Sequence, residues 1–185
     1  MESNSLSPEP SSITNILTLR YNPSITPNLP RKTWKNFKHL IEKPSIEFIE
    51  KSITNTIRKQ LDISSVQKTC IALSGGIDST LILALMKETL PDIQVDAVSI
   101  KFANSIDETE PASKIAAKLG ADHHVIYVEN YLRELPKAIS IIKLPFWDLH
   151  WYYVVKKSQS LSKHLASGDG GDELFGGYTF RYKKF

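Results

Sequence analysis

A chain of 185 residues, 41% of them hydrophobic, is long enough for one globular domain with a sizeable core. Lys and Arg number 23 against 20 Asp and Glu, and a net charge of +3 is too slight to argue for a nucleic-acid partner. No apolar run reaches the roughly 18 residues of a membrane span, residues 1–12 lack a signal-peptide core, and the lone Cys70 excludes an internal disulfide, so a cytoplasmic protein is expected.

Residues 1–15 are rich in Ser and Pro, with only Leu6 apolar between Met1 and Ile13, and predict a disordered start. Residues 16–21 alternate weakly like a strand, and Pro23, Pro27 and Pro30 break up the next stretch. The expected organisation is therefore a disordered tail and connector over residues 1–43 and a domain over residues 44–185. After Pro44, the spacing of Ile46, Ile49, Ile53, Ile57 and Leu61 predicts an amphipathic helix capped by Ser45. Residues 67–73 read as a buried strand in which Cys70 is a small apolar side chain. A helix over residues 78–90 is stopped by Pro91, and residues 94–100 read as the second strand.

Ser105 and Glu108 suit a capping box for a helix to Leu119, with Ala112, Ile115, Ala116 and Leu119 inward and Gly120 ending it; Pro111 fits only a first turn. Residues 124–128 predict a third strand. His123 and His124 invite a zinc reading, but neighbours on a strand point to opposite faces and no further ligand cluster is in view. Leu132, Leu135, Ile139 and Ile142 suggest helical packing interrupted near Pro136. Residues 146–155 are dense in aromatics, with Trp147 and Trp151 a helical turn apart, a stripe that reads as core or subunit contact before base stacking. A short strand over residues 164–167 comes next, and Arg181, Lys183 and Lys184 read as a solvated end. Strands alternating with helices predict an α/β fold, a Rossmann-like parallel sheet with helices on both faces.

Two stretches carry chemistry. Residues 73–80, Leu-Ser-Gly-Gly-Ile-Asp-Ser-Thr, lie between a strand and a helix. Adjacent glycines flanked by hydroxyls leave backbone N–H groups open at a helix N-terminus, where peptide dipoles favour an anion such as phosphate. The lysine of a Walker A loop is missing, since Ile77 and Asp78 follow Gly76. An acid inside an anion site makes sense if it holds Mg2+ against the phosphates; the plain alternative is a glycine turn with Asp78 as an N-cap. The second stretch, residues 167–178, packs five glycines and three acids into twelve positions, a density that no packing need explains. Glycines let backbone approach a ligand closely, and acids at a strand's carboxyl end sit where open α/β sheets bind ligands. Asp172 is thus placed to meet Asp78 across one Mg2+; a turn with solvated carboxylates is the alternative.

Residues 73–80 resemble the PP-loop, SGGxDS, of the ATP-pyrophosphatase superfamily, whose adenine nucleotide alpha hydrolase-like members break ATP between its α and β phosphates. With residues 167–178 added, the chain resembles the synthetase domain of the asparagine synthetase (glutamine-hydrolysing) family over residues 69–178, and more weakly around 17–21. Ser99 and Ile100, Asp107 and Glu108, Leu119-Gly120 and the histidine pair are similar to that family too. NAD synthetase, GMP synthetase and tRNA-modifying enzymes share the first loop but not a segment like Ser-Gly-Asp-Gly-Gly-Asp-Glu-Leu-Phe-Gly-Gly-Tyr.

The resemblance implies an ATP-dependent, amide-forming ligase. Aspartate's side-chain carboxylate attacks the α phosphorus, and ammonia then displaces AMP from β-aspartyl-AMP. It implies that Ser74, Gly75, Gly76, Asp78 and Ser79 hold pyrophosphate, with Asp78 and Asp172 on Mg2+. Leu73, Ile100 and Gly168 line the adenosine pocket, and Asp169 is the general base toward ammonium. Many members have Glu at the position of Asp169. Residues 144–151 also depart from the family's acceptor pattern, which leaves open another carboxylate, as in β-lactam synthetases. The family's glutaminase nucleophile follows the initiator methionine, whereas Glu2 follows Met1 here. Free ammonia or a separate glutaminase subunit is expected. The chain ends before a helical portion that supplies a lysine in the family, so a fragment, a split enzyme missing its C-terminal half, or a non-catalytic nucleotide-binding subunit is expected, with a homo-oligomer left open.

Overall fold

The computed structural model describes residues 10–19, 44–61, 66–103, 105–142 and 150–177. The polar residues 1–9, the prolines at 23, 27 and 30, the segment 143–149 with Phe146 and Trp147, and the basic end at 181–184 lie outside them. Contacts divide the chain into two compact units, Met1–Lys43 and Pro44–Phe185. In the first unit, α1 (Pro10–Leu19) stands where the sequence predicts disorder to residue 15 and a strand from Ile16. Proline suits a first helical turn, which needs no N–H there. Thr14 and Thr18 donate their hydroxyls to Pro10 O at 3.1 Å and Thr14 O at 2.8 Å. The four-residue spacing of Pro10, Thr14 and Thr18 is a local pattern that composition does not register.

The first helix of the second unit is the one that the isoleucine spacing predicts. Ser45 caps α2 (Ile46–Gln60), accepting from Phe48 N at 3.2 Å. Its stripe is only half-buried: Ile57 packs on the core, whereas Ile46 is exposed. Among the described residues four strands come after it: β1 (Lys68–Ala72), β2 (Gln94–Phe102), β3 (Asp122–Val128) and β4 (Leu165–Ala166). All pair in parallel, in the order β3-β2-β1-β4. This is an α/β fold with a parallel sheet covered on both faces, as expected.

The central strands are buried on both sides, Thr69 to Ile71 in β1 and Val95 to Ser99 in β2, as a doubly covered parallel sheet requires. Cys70 is a fully buried free thiol whose Sγ lies 3.8 Å from Ser158 O. On one face, α2 joins α3 (Ile77–Thr89) and α4 (Thr109–Leu119) over Ile71, Val95 and Ala97. On the other, α5 (Leu135–Ile142) and α6 (His150–Gln159) cover Ile100, Ile126 and Val128. A 3-10 turn, Tyr131–Glu134, precedes α5, so Pro136 falls harmlessly in a first turn.

Helix α4 buries Ala112 and Ala116, with Ile115 and Leu119 packed beside them, and ends on Gly120 at φ 68. The capping box does not form. Ser105 donates to Phe102 O, and Asp107 Oδ1 instead accepts from Thr109 N at 2.9 Å. Those bonds from Thr109 hold the Asp107 carboxyl below the ordinary carboxylate range. Strand β3 starts at Asp122, two residues earlier than predicted. Its histidines part as alternation demands: His123 Nε2 lies 2.8 Å from Ser99 Oγ, and His124 Nε2 lies 2.6 Å from Asp96 Oδ1. Among the described residues no helix is long and apolar enough to cross a membrane.

Because β2 and β3 lie on one side of β1 and β4 on the other, the strand order reverses between β1 and β4. The crevice at the carboxyl ends of two such strands is where open α/β sheets take ligands. Each of these two strands runs directly into one of the two glycine-rich stretches.

Candidate active site

The first loop leaves β1 through Leu73, whose N–H donates to Val98 O at 2.9 Å and whose carbonyl accepts from Ser99 Oγ at 2.5 Å. Gly75 turns at φ 82, where a side chain would be strained, and a Cβ there would come within 3.2 Å of Ala112 N in α4. The hydroxyls hold the turn from inside. Gly76 N donates to Ser74 Oγ at 3.2 Å, Ser74 N donates to Ser79 Oγ at 3.3 Å, and Thr80 Oγ1 donates to Gly76 O at 2.7 Å. The N-cap of α3 is Gly76, with no side-chain cap; Asp78 is the helix's second residue. The alternative in which Asp78 serves merely as that cap is therefore set aside, and its carboxylate is available to a ligand.

The second stretch leaves β4 through Ser167 and Gly168 and re-enters helix as the short α7 (Gly171–Phe175). Gly168 is seated on the start of α3. A Cβ there would lie 2.5 Å from Ser79 N and 2.8 Å from the Asp78 carbonyl carbon. A Cβ at Gly171 would lie 2.6 Å from Asp78 Oδ1. The glycines thus let the two turns abut, backbone to backbone, which larger residues would prevent. The Asp172 carbonyl accepts from Gly176 N and Gly177 N, and its carboxylate lies against Gly177, while the residue before it, Gly171, packs on the Asp78 carboxylate.

Between the turns lies a cavity of about 230 Å3. Leu73, Val98, Ser99 and Ile100 form its sheet side, Ser74, Asp78 and Ser79 the loop side, and Gly168 and Asp169 the second turn. Gly75 and Gly76 shape the loop without lining the cavity, and Asp172 does not line it. Glu108 and Thr109 at the start of α4, and His150, Trp151 and Val154 on α6, complete the wall.

The sequence alone assigns the aromatic run to core or subunit contact. Tyr152 and Tyr153 are indeed core, but Trp151 is half-buried at the cavity with His150 beside it, ring centroids 5.7 Å apart. Helical spacing alone could not separate them, because facing the cavity and facing the core differ by one residue on α6. The one signal is that His150 and Trp151 end the segment, residues 144–151, that departs from the family's acceptor pattern.

The described lining carries three carboxylates, Asp78, Glu108 and Asp169, and no Lys or Arg. Along this described lining a phosphate group can be met by backbone N–H groups, by serine hydroxyls and by a cation. Among the described residues no group of three or more His, Cys, Asp or Glu forms a metal cluster. This fits Mg2+ only in its usual guise, carried on phosphates and held by one or two carboxylates with waters; Asp78 is the carboxylate placed inside the loop.

Comparison with known proteins bears on the same residues. The asparagine synthase family matches residues 49–185. Asparagine synthetase [glutamine-hydrolyzing] 1 of Bacillus subtilis is 37% identical over 112 residues, 58% of this chain and 18% of that protein. A putative asparagine synthetase [glutamine-hydrolyzing] 2 of Methanocaldococcus jannaschii is 37% identical over 112 residues, 57% of this chain and 22% of that protein. The chain thus spans about a fifth of the length of these relatives. Among solved structures, the NH3-dependent NAD synthetase of Campylobacter jejuni aligns with a TM-score of 0.54 at 21% identity, covering 74% of this chain and 62% of that one. A glutamine-dependent NAD+ synthetase of Acinetobacter baumannii, solved with ADP, gives 0.54 at 19% identity, covering 75% and 29%. These likenesses show the fold.

Proposed function

The chain belongs to the asparagine synthase family, and on that premise we propose that its second unit activates a carboxylate with ATP, releasing pyrophosphate, and passes the acyl group to ammonia. Aspartate is the acceptor proposed first, with asparagine the product. The observation that carries the reading is the seating of Gly168 on Ser79 N, which closes two glycine-rich turns around one cavity at the sheet's switch point.

In this reading the N-terminus of α3 and the loop residues Ser74, Gly75, Gly76 and Ser79 hold the β and γ phosphates. Leu73, Ile100 and Gly168 bound the adenosine. Asp78 holds the Mg2+ that travels with the nucleotide, with Asp172, one residue beyond Gly171, as the proposed second carboxylate. Bound there, the ion neutralises charge as the α-β bond breaks. Asp169, on the cavity wall, takes a proton from the ammonia nitrogen as that nitrogen bonds to the acyl carbon and AMP leaves. Its arm is one methylene shorter than a glutamate's, so the nucleophile must approach the second turn closely. Ammonia is proposed to come free or from a separate glutaminase chain.

Incubation with ATP, Mg2+, aspartate and ammonia is expected to give AMP and pyrophosphate in equal amounts. Formation of ADP and phosphate instead would reject the reaction class. Trp151 and His150 on the wall favour a second reading, in which the acceptor is a different carboxylate with an apolar body. Pyrophosphate exchange across a set of carboxylates separates the two: aspartate alone supporting exchange would exclude the second.

A further inference from the structure

His123 lies outside the cavity lining, yet it is linked to the first loop by two hydrogen bonds. On β3 it stands in register with Ala97 of β2, and its Nε2 reaches Ser99 Oγ at 2.8 Å. Ser99, 4% exposed, sends its oxygen on to Leu73 O at 2.5 Å. A serine hydroxyl has one proton, and a carbonyl only accepts. The Ser99 proton therefore goes to Leu73 O, and His123 Nε2 must carry its own proton and donate it to Ser99. Leu73 N is meanwhile bonded to Val98 O at 2.9 Å. The residue that launches the loop is fixed at both its polar groups, one of them by way of the His123 ring. Burial keeps that imidazole below its ordinary value, so the ring is neutral near pH 7 with its proton on Nε2. Beyond Leu73 the loop contains the left-handed Gly75, and the helix it enters has no side-chain cap. The loop's own hydroxyls hold the turn from inside, and the hold on Leu73 sets the direction in which that turn leaves the sheet.

We propose that His123 is a positioning residue for the nucleotide loop, acting through Ser99 on the Leu73 carbonyl. This rests on the reading that residues 73–79 hold ATP, and it gives a role to one half of a histidine pair that otherwise reads as an orphaned metal motif. The ring sets the direction of the Ser99 hydroxyl. Without it that hydroxyl is free to turn from Leu73 toward the cavity, and the loop amides lose their common aim.

The test compares His123→Ala with His123→Gln, whose amide N–H can reach the same place as Nε2. Hydrogen exchange of amides 74–79 in the nucleotide-free chain is expected to rise about threefold to tenfold in H123A, with β2 amides 95–98 unchanged. ATP affinity is expected to fall by a similar factor while the maximal exchange rate stays within about twofold, and H123Q should restore most of both. Ser99→Ala, which removes the middle of the relay, is expected to loosen the same amides and serves if H123A does not fold. Unchanged loop exchange in H123A and S99A, or an H123Q as loose as H123A, overturns the proposal. If loop exchange responds as expected but the wild-type chain retains no ATP, the nucleotide reading fails and the pinning of Leu73 stands.

Discussion

Gly171 lies so close to Asp78 that a single added methyl carbon would sit 2.6 Å from the carboxylate's Oδ1 and Cγ. One residue thus fixes where the acid of the first turn can point, although most of the domain's sequence separates them. The neighbouring glycine, Gly168, meets backbone instead, 2.5 Å from Ser79 N. The two substitutions should therefore fail differently. Gly168→Ala must force the turns apart and is expected to cost about 1–3 kcal/mol of folding stability together with nucleotide binding. Gly171→Ala need only swing a side chain. Its stability should change by less than about 1 kcal/mol, while Mg2+-ATP affinity drops about tenfold or more through misplacement. Urea denaturation beside nucleotide titration measures both, and Gly170→Ala, with open space around it, reports the cost of its φ of +92 alone.

Asp78→Asn keeps the shape of the loop and removes its charge. Pyrophosphate exchange is expected to fall about a hundredfold or more, with the thermal midpoint nearly unchanged, because the proposed ion loses the carboxylate inside the loop. Equal exchange in wild type and variant would remove Asp78 from the metal.

Asp96 offers a contrast, since it is buried at 1% exposure yet lies off the cavity. His124 Nε2 meets its Oδ1 at 2.6 Å. Lys68 Nζ stands 2.9 Å from Oδ2, near enough for an ion pair though not aligned as a hydrogen bond, and that pairing holds the Lys68 ammonium above its ordinary value. Asp96→Ala is expected to lower stability by about 1–3 kcal/mol, the lower part of the range for buried pairs because both partners keep access to water. ATP affinity should stay as in the wild type, which a binding isotherm on the folded variant checks.

Folding should also carry an acid-side signature from His123. Burial first, and the neighbouring His124 second, hold its imidazole below 6.5. The unfolded chain then binds a proton at a pH where the folded chain does not. The contribution is fully present above about pH 6.5 and is lost as pH falls through the lowered folded value. Urea midpoints taken from about pH 7.5 down to about pH 5 should decline less steeply in H123Q than in the wild type; parallel declines would assign the slope to other groups.

Periodicity and turn chemistry made much of this protein legible from its residues alone. Ser45 and the stripe of α2, the glycine end of α4, the alternation that splits His123 from His124, and the two glycine-rich turns are all written within a few positions of themselves. That is why they could be read; α1 is as local, its threonines bonding to carbonyls four residues back, but its Ser- and Pro-rich composition masks the pattern. What stands beside what was settled by pairings between distant strands. Only the order β3-β2-β1-β4 carries the second turn onto the first and turns Trp151 to the cavity while Tyr152 and Tyr153 go to the core. Local geometry comes from bonds a few residues long, but a cavity is made by surfaces that meet only when the chain has closed on itself.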